Sequence, residues 1–148
     1  MPTKRQEAKM GRLIAVLQAR EGGYKQIISD LLKAQKWRFG ERLSLVPKCH
    51  GVYAISEIGA PVGEYLHAGR TNNGRTGLYG RMSGHKSCST SDDLLVKLKR
   101  RGRCQSIDEA RIYIKNNCEA QWVVVERAED RIWTEHYILA LLKPIWGS

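Results

Sequence analysis

His50-Gly-Val-Tyr-Ala-Ile-Ser-Glu57 reads as a β-strand, and the rest of the chain organises around it. β-Favouring and apolar residues fill the stretch, and Gly59-Ala-Pro-Val-Gly63 supplies turn chemistry directly after it. Glu64-Tyr-Leu-His-Ala-Gly-Arg70 then reads as a second strand, so the two segments predict an antiparallel hairpin. Asn72 to Arg75 is a polar loop, and a helix starting near Thr76 or Gly77 carries Leu78, Arg81, Met82 and His85. Ser91-Asp92-Asp93 offers an N-cap with acidic first-turn residues to a helix through Leu94, Leu95 and Leu98. That helix ends at Lys99-Arg100-Arg101-Gly102. Ser106-Ile-Asp-Glu109 opens a further helix to about Lys115, and Gln121 to Glu126 is a short apolar third strand. Asp130 is the expected cap of a last helix running to Leu142, ahead of Pro144.

Upstream of the hairpin the period is helical. Thr3-Lys4-Arg5-Gln6 has the form of a capping box, followed by Leu13, Ile14 and Leu17 at helical spacing. Gly22-Gly23 is expected to stop this helix, and a second one is expected from Tyr24 to Lys36 with Ile27, Ile28, Leu31 and Leu32 on one face. The predicted fold is therefore α/β: a small three-stranded sheet flanked by helices, with an N-terminal helical pair. Residues 1–48 read as a basic helical extension and residues 49–148 as the main domain.

A length of 148 residues suits one real core, and 42% hydrophobic residues excludes a disordered tail. Lys and Arg number 25 against 15 Asp and Glu, a net charge of +10 that favours a polyanionic partner. The 4 cysteines, Cys49, Cys88, Cys104 and Cys118, contain no close pair of the kind zinc sites use. Met1 to Arg12 is polar and basic, and apolar runs fall short of the ~20 residues that cross a bilayer. The expectation is a cytoplasmic protein with reduced thiols and no membrane partner.

Several residues carry chemistry. Arg81 and His85, four apart on a helix, face the same place. A guanidinium fork suits phosphate oxygens, and an imidazole can accept or shuttle a proton near neutrality. On a helical wheel Glu135 falls within the arc of Ile132, Ile138, Leu139 and Leu142. A carboxylate on such a face needs a hard cation or an arginine as partner. Arg70, Arg75, Lys86, Lys99, Arg100 and Arg101 group as candidate contacts to a nucleic-acid backbone, together with Lys97, Arg103 and the N-terminal basic residues.

Gly51-Val52-Tyr53, His67-Ala68-Gly69-Arg70-Thr71 and Arg81-Met-Ser-Gly-His85 follow one another, with Glu135 downstream inside Arg131 to Pro144. In this order they resemble the GIY-YIG nuclease superfamily, over roughly residues 49–146, and look most like its restriction-type branch. His67 stands where the family has its second tyrosine, with Tyr65 two residues earlier as the other candidate. Gly147 lies where many members carry an asparagine. The resemblance implies a DNA endonuclease hydrolysing phosphodiester bonds at a single-metal site. Tyr53, His67, Arg81, His85 and Glu135 would be catalytic, Glu135 would hold Mg²⁺ or Mn²⁺, and either Tyr53 or His85 would be the base. DNA is the implied partner, with a homodimer where both strands are cut. The alternative is a DNA-binding protein of the same fold that has lost catalysis. An acceptor role for His67 would make activity fall at acidic pH, where a protonated imidazole no longer accepts.

Overall fold

The computed structural model describes residues 2–89 and 92–141. Its elements are α1 (Lys4–Lys33), β1 (Trp37–Arg38), a 3-10 turn at Leu43–Leu45, β2 (Gly51–Glu57), β3 (His67–Arg70), α2 (Gly77–Ser87), α3 (Asp93–Arg100), α4 (Ile107–Asn117), β4 (Cys118–Val124) and α5 (Ala128–Leu141). Among the described residues the sheet has four strands in the order β1-β4-β2-β3, with every neighbouring pair antiparallel. The three strands read from the sequence are present, and Trp37–Arg38 adds the fourth by pairing with Ala120 and Glu119. Two residues show no alternation to read. Trp37 is held by packing, its ring centroid 4.9 Å from Phe39 and 6.2 Å from Trp122. Residues ahead of 49 thus contribute an edge strand and core side chains to the main body.

The N-terminal helical pair is replaced by one helix of 30 residues, opened by the expected Thr3–Gln6 capping box. Gly22 and Gly23 lie inside it, and a Cβ at either position would meet nothing within 4 Å. A helical glycine costs only about 0.5–1 kcal/mol. Burial of Tyr24, Ile28 and Leu31 in the next turns outweighs that cost and carries the helix through. Leu13, Ile14 and Leu17, ahead of the docked half, stay exposed.

Strand β2 is buried on both faces, as expected for a strand inside an α/β sandwich. Tyr53 and Ile55 pack with Leu78 and Met82 of α2, Leu94 and Leu98 of α3 and Ile114 of α4. Val52 and Ala54 pack with Ile28 and Leu31 of α1 and Ile138 of α5. The register sets Tyr53 opposite Gly69 and Ile55 opposite His67, which puts His67 on the Tyr53 face. Tyr65 does not share that face. It joins the opposite cluster, and its hydroxyl donates to Gln121 Oε1 at 3.3 Å. The regular strand begins only at His67, so period-two alternation does not extend back to Tyr65.

Helix α2 starts where the chain folds back on the approach to β2. Gly77 has φ of +51°, and a Cβ there would lie 2.2 Å from the Cys49 carbonyl oxygen, so only glycine fits. Asp92 caps α3, accepting from the Leu94 N–H at 2.8 Å, and Ser106 caps α4, accepting from Glu109 N–H at 3.2 Å. Helix α5 begins at Ala128, so Asp130 sits in its first turn and is not its cap. Among the described residues no helix is long and apolar enough to cross a membrane.

If α1 is continuous, Gly22→Ala and Gly23→Ala should each raise unfolding free energy by about 0.5–1 kcal/mol, read by denaturant titration followed by circular dichroism. A helix broken at these glycines would instead be destabilised by alanine.

Candidate active site

Tyr53 projects from β2 toward α2 and is wholly buried. It fits because its neighbour across the hairpin is Gly69, where a Cβ would stand 2.6 Å from the phenol oxygen. The Tyr53 hydroxyl lies 2.7 Å from His85 Nε2, and Arg81 Nη2 donates to the same oxygen at 3.1 Å. The one-turn spacing of Arg81 and His85 on α2 therefore brings both onto one phenol. His85 Nδ1 lies 3.1 Å from each carboxylate oxygen of Asp92. With a carboxylate there, the neutral ring carries its proton on Nδ1 and accepts from Tyr53 through Nε2. The result is a buried Tyr53–His85–Asp92 chain with an arginine on its outer end.

Burial pushes the Tyr53 hydroxyl up to about 12, against the opposing pull of Arg81. Asp92 moves the other way. Its burial favours the neutral acid, but hydrogen bonds from His85 and the Leu94 N–H outweigh this and hold it below the usual carboxylate range. Asp92 is thus an anion at neutral pH, fixed by the helix it caps. It was read from the sequence only as a cap; its contact to His85 needs the return of the chain after α2, which local pattern does not reveal.

His67 is also in this cluster, its ring centroid 6.0 Å from Tyr53 and 5.0 Å from His85. Lys97 Nζ lies 2.8 Å from His67 Nδ1, so a lysine grouped with the surface charges is in fact turned inward from α3. Burial, with help from the charges of His85 and Lys97, pushes His67 down to about 3. Protonation of His67 is thereby moved well below the mildly acidic range. A cavity of about 230 Å³ opens beside the cluster, lined by His67, Gly80, Arg81, Gly84, His85 and Asp92 among others.

Glu135 departs from its expected setting. Ile132 and Leu139 are exposed, Ile138 is buried, and Leu142 lies outside the described residues, as do Pro144 and Gly147. The arc around Glu135 is thus the margin of α5 and not its buried face. Its carboxylate is 24% exposed and stands 3.6 Å from Arg70 Nε. Its charge still raises the pKa of Tyr53 and Arg81, so it belongs to the same electrostatic neighbourhood. Mg²⁺ is commonly held by one or two carboxylates, waters and substrate phosphate. Glu135 offers one such carboxylate, but it is not among the residues that line the cavity, and an ion there would have to displace Arg70. The core arginine of this helix is Arg131, which donates to the carbonyls of Thr71, Val125 and Glu126 and to Asn73 Oδ1. It anchors the loop after β3, and nothing local in the sequence marked it.

The surface cations divide. Arg75, Lys99 and Arg100 are exposed, and Lys86 is half-buried. Arg101 and Arg103 converge on Glu57, at 3.9 and 3.0 Å. Arg70 is shared between Glu135 and Asn72. No family model matches the chain, and no curated protein or solved structure is a significant match to it.

His67 has a pKa of about 3 in the fold against 6.5 unfolded, so the folded state binds fewer protons across that window. Stability should fall as pH drops from about 6.5 toward 4.5, above the range where carboxylates dominate. Thermal melts of His67→Gln should show a flatter slope there; an unchanged slope would mean that His67 is not buried in neutral form.

Proposed function

We propose that this chain is a metal-dependent endodeoxyribonuclease that hydrolyses phosphodiester bonds, in keeping with its resemblance to the GIY-YIG superfamily. The observation that carries this reading is the buried Tyr53–His85–Asp92 chain meeting Arg81 beside a polar cavity. Phosphodiester hydrolysis needs a water relieved of a proton and a cation facing the charge that develops on phosphorus. Both nitrogens of His85 are engaged, so His85 meets water only through Tyr53. In the proposed path the Tyr53 proton moves to His85 Nε2, and the phenol oxygen takes a proton from water as the water oxygen attacks phosphorus; the P–O bond opposite the attack breaks, and its oxygen leaves with a proton taken from solvent. Asp92 stabilises the imidazolium and Arg81 the phenolate. This assigns Tyr53 as the immediate acceptor and His85 as the base behind it.

Arg81 is exposed at its outer end while covering Tyr53. A phosphate in the cavity draws the guanidinium toward itself, which opens the phenol to water. Glu135 would hold Mg²⁺ or Mn²⁺, and a bound cation would lower the pKa of a coordinated water and neutralise phosphoryl charge. Arg75, Lys86, Lys99 and Arg100 supply backbone contacts that carry no sequence preference.

Supercoiled plasmid should be nicked in the presence of Mg²⁺ or Mn²⁺ and left intact with EDTA. Arg81→Ala should slow turnover by at least about 10²-fold, and Arg81→Lys should not restore it, because the planar fork is lost. Glu135→Gln should abolish metal-dependent nicking while DNA affinity stays within a few-fold. Wild-type protein that binds plasmid but leaves it supercoiled with either metal would reject the enzyme reading in favour of a binding protein.

A further inference from the structure

His67 presents one nitrogen to Lys97 and the other to nothing else among the described residues. Lys97 Nζ is 2.8 Å from Nδ1, and an ammonium only donates, so Nδ1 is the acceptor of that pair. The neutral ring must then carry its proton on Nε2. That nitrogen is buried without a hydrogen-bonding partner among the described residues, in a side chain 6% exposed that lines the cavity with Arg81. Buried donors are almost always satisfied; Nε2 is closed to solvent while the residue lines the cavity, so a ligand acceptor reaches this N–H by a small displacement of the ring or its neighbours. Arg81, on the same wall, makes that acceptor an anion.

We propose that Lys97 fixes His67 as the Nε2–H tautomer, and that this N–H forms with Arg81 a two-donor subsite for a phosphate oxygen. The identity of the phosphate as part of a DNA phosphodiester rests on the function proposed above; the subsite itself does not. His67 is then a donor, in contrast to the acceptor role read from the sequence. Lys97 is a positioning residue, acting through the ring it orients. Burial lowers the pKa of its ammonium, and the charges of Asp93 and Asp92 offset part of that.

Two-bond ¹H–¹⁵N spectra of the histidine rings read the tautomer directly in the full chain at neutral pH, with no metal and no DNA. His67 should show a protonated Nε2 in the wild type and in Lys97→Arg, which keeps a donor at that position. Lys97→Met, which keeps the aliphatic stem, should shift the ring toward the Nδ1–H form. Inorganic phosphate should move the His67 Nε2 resonance, and its half-saturating concentration should rise about tenfold in Lys97→Met, the loss of one hydrogen bond to an anion. A wild-type ring protonated on Nδ1 would overturn the proposal without any variant. So would a Lys97→Met spectrum identical to wild type, or a His67 resonance indifferent to phosphate. Plasmid nicking is a separate arm: its absence rejects the nuclease reading and leaves these spectra to decide the subsite.

Discussion

The Tyr53 hydroxyl is buried with its donor and acceptor capacity both met, and much of the surrounding architecture exists to permit that. An unsatisfied phenol in the core would cost roughly 1–3 kcal/mol. His85 accepts from it and Arg81 donates to it, which sets the rotation of α2 about its axis. His85 needs an acceptor for its own Nδ1–H, and Asp92 provides it while capping α3. Gly69 must lack a side chain so that the ring can lie across β3. One hydroxyl thus links two strands and two helices, and loss of any one partner leaves a buried polar group exposed to its neighbours.

That dependence explains which parts were legible in the sequence. The β2–β3 hairpin, the α2 spacing of Arg81 and His85 and the caps at Asp92 and Ser106 are local patterns, and each reads directly. Helix α1 misled because Gly-Gly is a modest local penalty, and the docking that overrides it comes from distant residues. Strand β1 is too short to show a period, and the face of Tyr65 depended on where regular pairing stops. Glu135 was misplaced because a wheel records which residues are apolar, not which helix faces are covered. Asp92 and Lys97 joined the site through contacts across the loop after α2 and from α3 to β3, which no window of sequence contains.

Charge is arranged in two tiers. The inner tier is the cations Arg81 and Lys97 and the anion Asp92 around the phenol and the two imidazoles, with Glu135 held at the margin by Arg70. The outer tier of exposed Arg75, Lys99 and Arg100 suits non-specific attraction to a polyanion. Arg101 and Arg103 are drawn out of it by Glu57. A basic composition therefore overstates the surface available to a partner, since several of its cations are committed to internal pairs.

The claim that Asp92 drives proton transfer from Tyr53 to His85 is tested most directly by single-turnover cleavage of plasmid DNA with Mg²⁺ in Asp92→Asn. Asparagine keeps the helix cap and the side-chain volume but removes the charge that supports the imidazolium. The account predicts a rate at least about 10²-fold below wild type, with helix content and DNA affinity unchanged. Cleavage at the wild-type rate would contradict it.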